Sequence, residues 1–247
     1  MFPRLYHAHH SLHTEDLPLW LDLARRQGDP ILELGCGSGR VLLPLAQAGH
    51  RVYGLDNDPG MLVVLREQLT PALCPAVTVW IGDLCAFHLG MAFSLITLPC
   101  NTHSTLTAVQ RQAALACVRR HLRPGGVFAL SLPNPARLRR MPRRGEPEVE
   151  ESFPHPLDGE PVQVSSAWER DDQYFTMRWH YDHLLPDGRV ERLTAEVRHT
   201  LAPVKAYLQE IEAAGLQVSQ VLGEFDGRAY APSSDNLIII ATTKLAK

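Results

Sequence analysis

The sequence predicts an α/β fold, a mainly parallel sheet covered by helices on both faces, with an antiparallel insertion late in the chain. Three observations carry that expectation. Short apolar runs alternate with amphipathic helical stretches through the first half, the pattern of strands buried on both sides. A glycine cluster, Gly35-Cys36-Gly37-Ser38-Gly39, lies between the first such run and the next helix, where a backbone can approach a ligand closely. After Pro133 a stretch rich in proline and arginine gives way to long alternating strands joined by tight turns.

Taken in order, Thr14 is a candidate N-cap for a helix whose first turn holds Glu15 and Asp16 and whose last holds Arg25 and Arg26, before Gly28. The histidines before it (His7, His9, His10 and His13) read as a solvated loop with no acid or thiol at ligand spacing, so no metal site is expected. Strand Ile31–Leu34 is followed by the glycine cluster, a helix over Val41–Ala48 stopped by Gly49, and a strand over Arg51–Leu55. Asp58-Pro59 is an N-cap followed by proline at the first helical position, with Leu62, Leu65 and Leu69 on one face. Strands Val77–Ile81 and Phe93–Leu98, a helix over Thr105–His121, a turn at Pro124-Gly125-Gly126 and a strand over Val127–Leu132 complete this half.

The arginines at 137, 139, 140, 143 and 144 precede Glu146, Glu148, Glu150 and Glu151 and read as a self-compensating linker. Strands follow over Val162–Arg170, Tyr174–Leu185 and Val190–Leu201. In the middle one Phe175, Met177, Trp179, Tyr181 and His183 share a face. A helix over Val204–Ala214 and strands Leu216–Gly223 and Leu237–Thr243 return to the α/β pattern.

Of 247 residues, Lys and Arg supply 24 and Asp and Glu 27, a formal net charge of -3. That balance disfavours a nucleic-acid-coating surface. No apolar run approaches the roughly 18 residues of a membrane span. Five cysteines without CxxC spacing read as reduced thiols, consistent with a cytoplasmic protein.

The glycine cluster is G-x-G-x-G with Arg40 next, not the G-x-G-x-x-G of a dinucleotide site, and Glu33 two residues before it suits a cationic ligand better than a pyrophosphate. Asp56, 21 positions beyond Gly35, ends the next strand where a ribose diol could be held. With Leu55-Asp56-Asn57-Asp58, Gly82-Asp83-Leu84 and Leu122-Arg123-Pro124-Gly125-Gly126 at these separations, the chain resembles the class I S-adenosylmethionine-dependent methyltransferases over nearly its whole length. The resemblance implies a Rossmann-like seven-stranded methyltransferase fold with an antiparallel β insertion after strand five. The core would be residues 1–132 and 202–247, and residues 133–201 a substrate cap.

It further implies S-adenosyl-L-methionine as cofactor, with S-adenosyl-L-homocysteine as product. Gly35, Gly37 and Gly39 would line the methionyl and ribose portions, Glu33 would act on the amino-acid end and Asp56 would take both ribose hydroxyls. Asn57 and Met61 would flank the adenine, Asp83 and the Leu84 backbone would bond its edge, and Leu98 to Asn101 would lie beside the reactive methyl. An N-terminal Tyr6 and the late insertion resemble the small-molecule branch that includes amino-sugar N-methyltransferases, where the tyrosine covers the cofactor. Two positions depart from that branch: Thr105 stands where its histidine base would be, and His7 follows Tyr6 where aspartate is usual.

The expected reaction is methyl transfer to a nitrogen or oxygen of a small molecule by a monomer or homodimer. His103 is the candidate base, and Cys100, Tyr181, His183 and Tyr230 are candidate substrate contacts. The alternatives are a tRNA or rRNA methyltransferase and a non-catalytic binder of the same cofactor. Pro99-Cys100 is also the pair with which cytosine C5-methyltransferases attack their base, but nothing else in the chain supports that chemistry.

Overall fold

The structure, a computed structural model, describes residues 1–243. Helix α1 (Phe2–His10) and α2 (Leu17–Gln27) precede β1 (Ile31–Leu34), α3 (Leu42–Gln47), β2 (Val52–Asp56), α4 (Pro59–Glu67), β3 (Val77–Ile81) and β4 (Phe93–Leu98). A one-turn α5 (Thr102–Thr105), α6 (Ala108–His121), β5 (Leu122–Pro133) and α7 (Pro135–Leu138) lead into four strands: β6 (Glu148–Pro154), β7 (Pro161–Arg170), β8 (Tyr174–Leu184) and β9 (Val190–Thr200). Helix α8 (Val204–Ala213), β10 (Gln217–Leu222) and β11 (Asn236–Thr242) follow.

Across the described residues seven strands form one sheet in the order β10-β11-β5-β4-β1-β2-β3, with β1 to β5 parallel and β11 antiparallel to both of its neighbours. This is the class I methyltransferase sheet. Every residue of β1 is buried, as a strand covered on both faces requires. One face packs on Trp20, Leu42, Leu45, Leu62 and Leu65 from α2, α3 and α4. The other packs on Leu115, Val118, Tyr207 and Ile211 from α6 and α8. Strand order reverses between β1 and β4, so their carboxyl ends diverge and leave a crevice there.

The second sheet, β6-β7-β8-β9, is antiparallel throughout. Its inner face buries Val162, Val164 and Tyr181 against Leu5 of α1. Its outer face carries ion pairs such as Arg178 with Glu169 and Glu196. It is fastened to the first sheet by Ser104 Oγ, 2.9 Å from His199 Nδ1, and by Thr200 Oγ1 donating to the Leu106 carbonyl.

Several elements depart from the sequence reading. The N-terminal histidines are not a solvated loop: Phe2–His10 is helical and His9 is buried. Asp16, not Thr14, precedes α2, and its carboxylate is taken by Arg40 and Trp20 rather than by the helix N-terminus. Pro124 to Gly126 continue β5 instead of ending a turn, and β6 occupies part of what read as linker. The arginine run is not self-compensating, because its partners are distant: Arg137 pairs with Asp235 and Arg143 with Asp172, while Glu150 turns inward to His9.

Arg111, buried on α6, bonds both oxygens of Glu210 on α8 at 2.7 Å and donates to the carbonyl of Leu106. Truncation in Arg111→Ala leaves a mostly buried carboxylate and a carbonyl unpartnered. The expected loss of stability is about 3 kcal/mol, read by urea denaturation at neutral pH.

Candidate active site

At the crevice between β1 and β4 lies a cleft of about 320 Å3. Its floor is the loop after β1. Gly37, at φ +51°, has open space where a Cβ would stand, so the backbone there faces the cleft bare. Gly39 works differently: a Cβ would come within 2.9 Å of Leu43, so its lack of a side chain lets the loop close onto α3 and α4. Asp56, at the end of β2, ties this floor down. Its Oδ2 accepts from Gly37 N at 2.7 Å and its Oδ1 from Asp58 N at 2.9 Å. Burial raises its carboxyl pKa, and those N–H groups oppose the rise.

Glu33 also lines the cleft, 2 % exposed, and its Oε2 has no hydrogen-bond partner. Burial lifts its pKa well above the usual carboxylate range. Arg40 opposes this, while Asp16 and Asp56 add to it.

Arg40 forms one wall. Its two terminal nitrogens each lie 2.6 Å from a carboxylate oxygen of Asp16, and one lies 2.9 Å from Cys100 Sγ. Burial works against its charge, but the Asp16 bonds hold the guanidinium pKa above its ordinary value. Cys100 and Asn101 follow β4 with φ of +59° and +66°, a rare conformation for a non-glycine pair. Cys100 sits deep in the protein yet faces the cleft void, so its surface is exposed while the surrounding walls push its thiol up to about 11.

Helix α1 roofs the cleft with Tyr6 and His10, held by His7 Nδ1 at 3.1 Å from Ser38 Oγ. Burial raises the Tyr6 pKa and, with His9, His13 and Arg40 nearby, lowers that of His10 to about 3. A second cavity of about 360 Å3 adjoins the cleft and shares Tyr6, His10, Arg40 and Cys100 with it. Asn101, Glu150, Trp179 and His199 lie on its far side.

A family profile described as a methyltransferase domain matches residues 31–126, the span from β1 through the start of β5 that builds the cleft floor. The cypemycin N-terminal methyltransferase of a Streptomyces species is 26% identical over 216 residues, covering 86% of this chain and 82% of its own. The chain carries a methyltransferase domain and is an S-adenosylmethionine-dependent methyltransferase. A dTDP-3-amino-3,6-dideoxy-alpha-D-glucopyranose N,N-dimethyltransferase of Streptomyces fradiae is 26% identical over 80% of this methyltransferase and 74% of its own length. Among solved structures, an S-adenosylmethionine-dependent methyltransferase from Clostridium acetobutylicum superposes with a TM-score of 0.79 over 98% of this chain and 99% of that one. At 15% identity it supports the fold.

The methyl donor is S-adenosylmethionine, and the cleft suits it. A buried, unpartnered Glu33 oxygen offers an acceptor for an ammonium, and the bare backbone at Gly37 leaves room beside Asp56. Of the residues expected to hold it, Tyr6, Glu33, Gly35, Gly37, Asp56, Asn57, Met61 and Leu84 line the cleft. Gly39 and Leu98 lie behind it as packing. Asp83 is exposed, its Oδ1 accepting from Cys85 N at 2.8 Å.

The methyltransferase's expected chemical residues fare differently. His103 lies outside both cavities, wholly buried, with its ring 5.8 Å from that of Tyr207, and burial lowers its pKa to about 3. Thr102, Thr105 and Leu106 take the cleft side of the α5 turn, which sends His103 the other way. Tyr181 is core, its hydroxyl 3.0 Å from His9 Nδ1, and His183 stacks on His155. Tyr230 donates to Asn134 Oδ1 beyond the strand ends. Cys100 does face the site. Arg40, Asp16 and His10 are gains of the structure, since they meet only once α1 and α2 fold over the glycine loop.

Glu33→Gln provides a pH test of the floor. A carboxyl whose folded pKa is raised favours folding in its protonated form. Its contribution is therefore complete below the ordinary value of 4.5 and is lost as pH rises toward the folded pKa. Melting of the cofactor-free protein should show no gain for Glu33→Gln at pH 4 and a growing gain toward pH 8.

Proposed function

We propose that this methyltransferase methylates a nitrogen of a small-molecule amine bound in the second cavity. One observation carries the reading: the two cavities share Tyr6, His10, Arg40 and Cys100, and the cation among those walls, Arg40, is already paired with Asp16. With Glu150 on the far side and His10 and His199, whose pKa values burial lowers, between, the acceptor cavity has acidic character. An amine arriving as an ammonium meets complementary charge there, whereas a phosphate backbone does not. Both relatives described above are named for methylation at nitrogen, one at a peptide N-terminus and one at an amino sugar.

S-adenosylmethionine would supply a methyl carbon for in-line attack by a neutral amine, with the C–S bond breaking to release S-adenosylhomocysteine and the proton of the arriving ammonium lost to solvent beforehand. The chain's own contribution is positioning and exclusion of water. Asp56 would hold the ribose hydroxyls, Glu33 the amino-acid end, and Asn57, Met61 and Leu84 the adenine. His10 replaces His103 as the polar group at the transfer point. Its Nε2 is buried without a partner on a ring that lines both cavities. Neutral at physiological pH, it can accept an N–H from the amine and aim the nitrogen lone pair. Residues 1–132 and 202–247 act as the cofactor-binding core and 133–201 as the acceptor cap, with Trp179 and Glu150 its contributions to the wall.

Calorimetry with S-adenosylhomocysteine should show binding to the wild type and at least about tenfold weaker binding to Asp56→Ala, the loss of charge-assisted hydrogen bonds worth about 1.5–3 kcal/mol. Screened for S-adenosylhomocysteine release, amines should turn over and the matching hydroxy compounds should not. Turnover on tRNA alone would overturn the proposal. With the best amine, His10→Ala should lower kcat by about a hundredfold while His103→Ala retains most of it.

A further inference from the structure

Strand β8 carries Trp179 at the acceptor cavity, Tyr181 beside it and then, on the same face, His183. The His183 ring stacks on that of His155 with centroids 3.9 Å apart and 15° between planes. His155 comes from the turn joining β6 to β7, and the same turn brings back Asp158. One oxygen of that carboxylate, Oδ1, lies 2.9 Å from His155 Nδ1 and 3.3 Å from His183 Nε2. The turn is closed independently by Gly159 N to the His155 carbonyl at 2.9 Å and His155 N to the Glu160 carbonyl at 2.7 Å. The backbone that presents both side chains is thus set before any ligand arrives.

We propose that His155, Asp158 and His183 bind one divalent transition-metal ion of the Zn2+ type. The separations support this. Around an ion with bonds of about 2.0–2.2 Å, tetrahedral ligand atoms stand roughly 3.3–3.6 Å apart. Of the three separations, Asp158 Oδ1 to His183 Nε2 has that value at 3.3 Å, and Asp158 Oδ1 to His155 Nδ1, at 2.9 Å, needs a few tenths of an ångström more. All three ligand atoms lie within 4.8 Å of one another.

A second observation points to a missing partner. His183 Nε2 is buried and makes no hydrogen bond, which is costly for a polar atom in such a setting. The His155 Nδ1 and Asp158 pairing, by contrast, is satisfied through a shared proton that the ion would displace to solvent or to the other ring nitrogen. Asp158, 46 % exposed on its turn, can withdraw by the small distance needed. A cavity of about 410 Å3 bordered by these three residues leaves room for a water as fourth ligand.

The donor chemistry selects the ion. Two imidazoles and one carboxylate suit Zn2+ and its neighbours Co2+ and Ni2+. Mg2+ and Ca2+ prefer oxygen alone, and Cu+ prefers sulfur. The site joins the β6–β7 turn to β8, which lies inside the inserted sheet, so the ion would stiffen the strand that presents Trp179. It stands apart from the methyl-transfer chemistry and does not depend on the acceptor being an amine. No metal is expected from the sequence, in which the histidines that cluster locally are the N-terminal ones. His155 and His183 are 28 positions apart and meet only through the pairing of β7 with β8.

The test uses the full chain stripped with EDTA and then titrated with Zn2+ by calorimetry. One equivalent should bind saturably and raise the melting temperature. His155→Ala and His183→Ala should each weaken binding by at least about tenfold, while His10→Ala leaves it unchanged. With Co2+ as the probe, visible absorption bands should appear in the wild type and vanish in both variants. Retained binding of S-adenosylhomocysteine shows that a variant is folded. Should a histidine variant fail that check, Asp158→Ala, at an exposed position, must show the same loss. Absence of saturable binding near one equivalent contradicts the proposal, as does binding that survives these substitutions and is lost with the N-terminal histidines.

Discussion

The guanidinium of Arg40 joins three parts of the chain at the mouth of the cleft. It bonds both carboxylate oxygens of Asp16 at the start of α2, the His13 carbonyl before that helix, and the Cys100 sulfur after β4. A largely buried ion pair of this kind adds little net stability compared with apolar packing, but removal of either member strands the other charge. Its value lies in placement. Because Asp16 holds Arg40 down, the N-terminal helix can lie across the glycine loop. Tyr6 and His10 then become a roof shared by both cavities instead of side chains on a free terminus.

The same pairing sets the electrostatics of the site. With Arg40 paired, the acids lining the cofactor cleft are Glu33, Asp56 and Asp58, and among the described residues its lining holds no other arginine or lysine. The neighbouring cavity keeps Glu150. A cofactor that carries both a sulfonium and an ammonium is favoured by the first, and a basic acceptor by the second. The whole-chain charge of -3 carries little of this information by itself. What matters is that the compensating charge is spent inside the walls.

The parallel half of the fold was legible because its signals are local. The apolar run of β1, the glycine loop, Asp56 at a strand end and the Asp58-Pro59 cap each declare themselves within a few residues. Glu33 was legible for the same reason, as an acid out of keeping with the apolar strand around it. What sequence could not display is pairing at a distance. Asp16 and Arg40 are 24 positions apart, and neither belongs to a motif that names the other.

Helix α1 did leave a trace, since Phe2, Leu5, Tyr6 and His9 recur at helical spacing. The trace is faint because its last member is a histidine, a residue ordinarily counted as polar, buried here by Tyr181 and Glu150. His103 illustrates the opposite error: a residue in the correct loop, turned away by the single turn of α5. Strand β6 is obscured by its glutamates and terminal proline, composition suited to the edge position it occupies.

The most direct test is a crystal structure of the protein with S-adenosylhomocysteine. The ligand's amino group should lie beside Glu33 Oε2 and its ribose on Asp56, with the sulfur facing the opening between His10 and Cys100 into the second cavity. A ligand bound with its sulfur turned from that opening, or a cleft sealed from the second cavity once the ligand is in place, would contradict the account.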